Sequence, residues 1–260
     1  MSHATRILRA VAMVLTLTFA VLPFLAHASA PAGDVTARFD AANRLYEEGK
    51  FADAAAAYSK LVDAGAVSAA VYFNRGNAYF RLGKTGWAIV DYLLASRLAP
   101  RDRELRSNLN IARSKARGGA VYSEPKAQKI LRVLTVNEWA LLTAAGVWGL
   151  FIFLAMVQWR VDLKPLLQKY AMASAVVAVV AGVCLVVKLN ADYFTDRAVV
   201  VTGEAEVRNG PLDEAIELFK VRDGAEVEVL DRKEGWLQIA DVAQRTGWVK
   251  STQVVEVTAK

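Results

Sequence analysis

Catalysis by side chains needs a nucleophile, a proton carrier or a metal ligand, and residues able to serve are sparse in this 260-residue sequence. Its two histidines are His3 and His27, and its single cysteine is Cys184. One thiol makes neither an intrachain disulfide nor a CxxC redox pair. No G-x-x-x-x-G-K-[ST] loop or G-x-G-x-x-G turn is present to cradle phosphate. Carboxylates are plentiful, and a suitable pair of them could run a glycosidase. Glu47, Glu48 and Asp53 nevertheless read as the exposed side of a helical repeat, and Asp223, Glu226 and Glu228 as turn and outward strand residues. What remains suits holding rather than transforming: the carboxamides of Asn43, Asn74 and Asn77, and the indoles of Trp236 and Trp248. The expectation is a binding protein without enzyme activity, cofactor or metal.

Both histidines fall in residues 1–28, which read as a secretory signal. Arg6 and Arg9 give a positive start, an apolar core follows, and Ala26-His27-Ala28 supplies the small-x-small cleavage pattern. Cleavage after Ala28 leaves a mature chain with no histidine for base catalysis or zinc ligation. The competing reading is an uncleaved first membrane helix. The hydrophobic fraction is 55%, and 32 Lys and Arg against 26 Asp and Glu give a net charge of +6. Basic residues flanking membrane segments account for that excess through anionic lipid, so no nucleic-acid partner is expected.

Residues 35–117 carry a repeat of period 34. Ala42-Asn43-x-Leu45 aligns with Gly76-Asn77-x-Tyr79, Gly49 with Gly83, Ala54 with Ala88, and Tyr58 with Tyr92. Small residues let two helices approach while the larger ones fill the space between them, and a third shift of 34 leaves a capping helix over 103–116. This order resembles tetratricopeptide repeats, which implies a concave helical surface that holds a peptide or partner protein. Asn43, Asn74 and Asn77 sit on first helices outside the packing pattern. They either face a partner or hydrogen-bond along the helix surface.

A linker over 118–135 leads to two uncharged apolar runs, 139–159 and 170–187, each long enough to cross a bilayer as a helix. Trp139 and Trp159 stand near the ends of the first run as interfacial anchors. No ionisable side chain lies in either run other than Cys184 and Tyr170, so an ion path has no carrier. The 160–169 segment carries Arg160, Lys164 and Lys169 against Asp162, but Lys126, Lys129 and Arg132 before the first run are comparably basic, so charge does not orient the pair. The exported leader decides it, making 160–169 a cytoplasmic loop and putting the repeats and the C-terminal module on the opposite side.

Over residues 198–258 the period changes to two. Glu226-Val227-Glu228-Val229, Trp236-Leu237-Gln238-Ile239 and Val254-Val255-Glu256-Val257 read as strands. Gly210-Pro211, Asp223-Gly224, Glu234-Gly235 and Thr246-Gly247 read as turns. A small all-β barrel with an aromatic core of Phe219, Trp236 and Trp248 is expected, one indole being partly available to a ligand. The order Val207-Arg208-x-Gly210-Pro211, Gly224-x-x-Val227-x-Val229, Gly235-Trp236-Leu237 and Gly247-Trp248-Val249 resembles bacterial SH3 domains. That likeness implies binding of cell-wall peptides or protein segments.

The whole layout is a multidomain membrane protein of α-helical tetratricopeptide repeats, a two-helix transmembrane hairpin and a bacterial SH3-like barrel. In that order the modules resemble the tetratricopeptide-repeat and bacterial SH3 protein family of the Bat aerotolerance operons. The resemblance implies an inner-membrane scaffold with both folded domains on the periplasmic side. Its implied partners are envelope proteins, among them membrane proteins with von Willebrand factor A domains, and indirectly a MoxR-type ATPase. The alternative is a tether that binds peptidoglycan through the SH3-like module.

Overall fold

The computed structural model describes residues 32–120, 122 and 125–257. The expected secretory leader and cleavage site lie outside the described residues. The chain divides into two compact units, Met1–Thr36 and Ala37–Lys260, and of the first only the opening of helix α1 is described.

Helices α1 (Ala32–Glu47), α2 (Phe51–Asp63), α3 (Ala69–Arg81), α4 (Thr85–Leu98) and α5 (Arg103–Ala116) follow one another through short turns. The α1–α2 and α3–α4 turns are built alike, 34 residues apart. Gly49 donates to the Tyr46 carbonyl at 3.0 Å and Lys50 to that of Leu45 at 2.9 Å; Gly83 donates to Phe80 at 3.1 Å and Lys84 to Tyr79 at 3.0 Å. Gly49 and Gly83 have φ of +76° and +75°, a conformation that residues with a Cβ resist, and the paired bonds satisfy the last carbonyls of each helix. Asp102 opens α5 by accepting from the backbone of Glu104 and Leu105 at 2.9 and 3.1 Å. Ala42, Ala54, Tyr58 and Leu61 are buried in the first repeat, and Ala78, Ala88, Tyr92 and Ala95 in the second. Gly76 marks the closest approach of α3 to α4, since a Cβ there would lie 2.8 Å from Tyr92 Cε1.

After α5 come a short helix α6 (Lys126–Leu131) and two long ones, α7 (Val136–Trp159) and α8 (Lys164–Leu189). Thr135 and Glu138 start α7 with a reciprocal capping box, at 3.3 Å from Glu138 N–H to the Thr135 hydroxyl and 2.9 Å from Thr135 N–H to the Glu138 carboxylate. Both long helices are apolar enough to cross a membrane, and most of their surface faces outward. They pack on each other through a seam of small residues. A Cβ on Gly146 would lie 2.7 Å from Ala178 N, and one on Gly149 would lie 3.0 Å from Ser174 Oγ. Ala144 and Ala145 are exposed, because the 3.6-residue turn that aims Gly146 and Gly149 at α8 carries them aside.

The C-terminal residues form seven strands: β1 (Arg197–Val200), β2 (Glu204–Arg208), β3 (Glu217–Arg222), β4 (Glu226–Lys233), β5 (Trp236–Ala240), β6 (Thr246–Lys250) and β7 (Val254–Glu256). Their order is β3-β2-β6-β5-β4-β1-β7, with antiparallel pairing throughout. The sheet is open, which corrects the expected bacterial SH3-like barrel. Closure would pair β3 with β7, but β7 has only three residues and stands at the opposite edge of the order from β3, paired with β1. One face of that end of the sheet packs on helix, with Val199, Val255 and Val257 against α4 and α5.

Two further expectations change. Thr246-Gly247 lies within β6 and makes no turn; the preceding bend is held by Asp241, whose carboxylate accepts from the backbone of Ala243 and Arg245 at 2.9 Å each. The sheet core is aliphatic, gathering Ala198, Val200, Val207, Val227, Leu237 and Ile239 with Phe219 at its margin. Strand alternation puts Trp236 and Trp248 on the face opposite Leu237 and Ile239, where Trp236 is nonetheless buried and Trp248 half-buried. The β4–β5 hairpin turns on Glu234 and Gly235, both at positive φ, as a two-residue loop of this twist requires.

Candidate functional site

The 34-residue repeat builds one polar arrangement twice. Asn43 Oδ1 accepts from the Tyr58 hydroxyl at 2.6 Å and from Asn74 Nδ2 at 3.0 Å. One repeat later, Asn77 Oδ1 accepts from the Tyr92 hydroxyl at 2.7 Å and from Asn108 Nδ2 at 3.1 Å. Each carbonyl oxygen thus takes two donors, one for each lone pair, and the ladder stitches successive first helices to the second helix between them. Burial pushes the Tyr58 phenol up to about 12 and that of Tyr92 upward too, so both stay neutral donors. Asn43, Asn74 and Asn77, together with Tyr46, Glu47 and Tyr58, line a groove of about 270 Å³. The three asparagines therefore share one surface, where they fix the groove's shape.

Trp236 and Trp248 come together on the outer side of β5 and β6. The register pairs Trp236 with Lys250 and Gln238 with Trp248. Trp236 is buried, with the Lys250 ammonium 5.6 Å from its ring centroid, while Trp248 is half-buried. Among the described residues, the indoles and the asparagine groove form no common cavity.

Sequence reasoning missed how the two modules join. Strand β1 is buried on both faces: Ala198 and Val200 enter the sheet core, while Val199 and Val257 pack with Ala88, Ile89, Val90, Tyr92, Leu109 and Ala112 of α4 and α5. The N-terminus of α4, whose flanking Lys84 provides no cap, is capped from the sheet. Asp223 Oδ1 accepts from Gly86 N–H at 3.1 Å. Burial raises the Asp223 carboxyl, against the opposing pull of backbone N–H bonds from Gly86, Thr85 and Gly224. Gly86 is required by the contact, since a Cβ there would lie 2.1 Å from the Val200 carbonyl oxygen. Arg113 closes the rim with a bidentate pair to Glu226 at 2.6 and 2.8 Å. The readable signal was Ala198-Val199-Val200-Val201, an unbroken apolar run where a strand with one wet face would alternate.

Also unforeseen is an ion pair inside the second repeat. Arg75 Nε and Nη2 donate to Asp91 Oδ2 and Oδ1 at 2.8 and 2.6 Å, with Asp91 only 1% exposed. Burial pushes the Asp91 carboxyl up while the guanidinium pulls it down. The signal lay in the repeat itself, because the positions 34 residues earlier are Ala41 and Ala57. Two charges of opposite sign replace two alanines together.

Among the described residues no group of three or more His, Cys, Asp or Glu is placed to hold a metal. Residues 39–103 match the tetratricopeptide repeat model, and residues 201–256 match the bacterial SH3 domain model. No curated protein matches the chain. The chain thus joins a tetratricopeptide-like repeat, two apolar helices suited to membrane anchoring and a bacterial SH3-like domain, and its recognisable modules are noncatalytic units that bind proteins.

Proposed function

We propose that this protein is an inner-membrane adaptor that assembles an envelope complex on the periplasmic side, linked to aerotolerance or stress. The observation that carries the reading is the docking of the SH3-like sheet onto α4 and α5, which joins the modules into one body beside the anchoring hairpin. A partner meeting both surfaces of a joined body loses less freedom than one bridging two loose domains. Residues 1–28 act as the cleaved export signal, residues 160–169 as the cytoplasmic loop, and the groove of Asn43, Asn74 and Asn77 as the first contact. The sheet face of Trp236 and Trp248 supplies the second. The partners are membrane proteins with von Willebrand factor A domains and, through them, a MoxR-type ATPase, as the order of modules suggests.

The exported SH3-like module favours a second reading, a tether that holds peptidoglycan to the membrane. Pull-down of the full chain after gentle solubilisation, beside sedimentation of the same material with purified cell wall, separates the two. Retention of a von Willebrand-type protein supports the adaptor; wall binding without a protein partner overturns it. Protease added to intact spheroplasts is expected to cut both folded modules, and protection of either overturns the orientation.

A further inference from the structure

Helix α6 places Ala127, Ile130 and Leu131 on one side and Lys126 and Lys129 on the adjoining one. Leu131 is half-buried, but the rest of the apolar side lies open among the described residues: Ile130 is 59% exposed, and Val133 in the following turn is 66% exposed. The segment is nevertheless held in place. The Trp139 indole Nε1 donates to the Leu131 carbonyl at 3.1 Å, and the capping box at Thr135 and Glu138 fixes the start of α7. These bonds keep α6 level with the first turn of α7, where a spanning helix meets the headgroups; Trp139 itself is buried and serves to hold the segment, not as the exposed anchor its position suggested. Arg101, at the corner between α4 and α5, donates to both Glu138 oxygens at 2.7 and 2.6 Å, so the repeats are tied to that same turn.

We propose that α6 is an interfacial helix that rests on the bilayer surface, with Ile130 and Val133 at the acyl boundary and Lys126 and Lys129 among anionic lipid headgroups. The proposal rests on the membrane-anchored reading of α7 and α8. Lysine stems lie along apolar surface while their ammonium ends reach phosphate, which suits the boundary between the two sides of α6. So few apolar residues bind a free bilayer weakly, but α7 holds them at the surface and makes the contact intramolecular. The function of α6 is then to set the stance of the repeat groove over the membrane.

The test uses the full chain in vesicles, with Cys184→Ala and a single new cysteine at Ile130, Gln128 or Val179, labelled with an environment-sensitive dye. Brominated lipid is the quencher, and vesicles are phosphatidylcholine with or without phosphatidylglycerol. Strong quenching is expected at Val179, and quenching at Ile130 at least about twofold that at Gln128. Anionic lipid should increase the Ile130 signal, and Lys126→Gln with Lys129→Gln should remove that increase. Quenching at Val179 with equal signals at Ile130 and Gln128 overturns the interfacial helix and leaves the anchor standing. No quenching at Val179 overturns both, and an Ile130 signal indifferent to anionic lipid overturns the headgroup contact.

Discussion

Gly86→Ala gives opposite results for docked and undocked modules. Gly86 occupies the first turn of α4 with helical backbone, so in a solvated helix alanine would stabilise by about 0.5–1 kcal/mol. In the docked protein the new Cβ would lie 2.1 Å from the Val200 carbonyl oxygen, 2.4 Å from Asp223 Oδ1 and 2.9 Å from Val201 Cα. Two of those atoms are backbone and cannot rotate away, so the strand must shift. Overpacking of this kind costs about 1–3 kcal/mol. Separation of Asp223 from Gly86 N–H removes a helix cap worth about 1 kcal/mol. The variant is therefore expected to lose about 1–3 kcal/mol net, against the helix-propensity gain. Denaturant unfolding of the full chain in detergent reads the sign, and amide exchange at Val200 and Gly224, which bond to the Ala225 and Val200 carbonyls, reads the site. A variant as stable as the parent or more so, with exchange at these amides unchanged, would refute the docking of β1 on α4.

Arg75→Ala is expected to cost about 3–5 kcal/mol because it strands a buried carboxylate. The double variant Arg75→Ala, Asp91→Ala restores the Ala41 and Ala57 solution of the first repeat and should cost less than the sum, which a double-mutant cycle by urea unfolding checks. Asn77→Ala leaves the buried Tyr92 hydroxyl without its acceptor and should cost about 1–3 kcal/mol, with loosening of α5 visible by amide exchange. The Tyr58 phenol, raised by burial to about 12, stabilises the fold fully below the ordinary tyrosine value of about 10. That contribution is lost as pH rises through about 12. Difference titration at 295 nm between the parent and Tyr58→Phe should place its transition there, and a transition at the ordinary value would contradict its burial.

Local rules reach far along this chain. The 34-residue spacing, the turn glycines at 49 and 83 and the Asp102 cap are each decided within a few residues, so the five repeat helices were legible. Two uncharged runs of membrane length needed only composition. Strand alternation exposed β4 and β5, and Glu234-Gly235 exposed their turn. The groove asparagines could be named from their helical positions, but their bonding could not, since Tyr58 and Asn74 reach Asn43 from 15 and 31 residues away.

What the tertiary structure decided is everything that depends on how faces meet. Periodicity tells which side of a strand is apolar but not what covers it, so the aliphatic sheet core and the placing of both tryptophans on the opposite face emerged only with the register. The same limit hid the open sheet, because alternation marks a strand without saying which strand it pairs with, and three-residue β7 pairs with β1 at the edge opposite β3. It hid the joining of the modules as well. Asp223 caps a helix 137 residues away, and Gly86 is small for the sake of a strand that the intervening hairpin brings back beside it. Sequence determined the modules; packing made two of them one body.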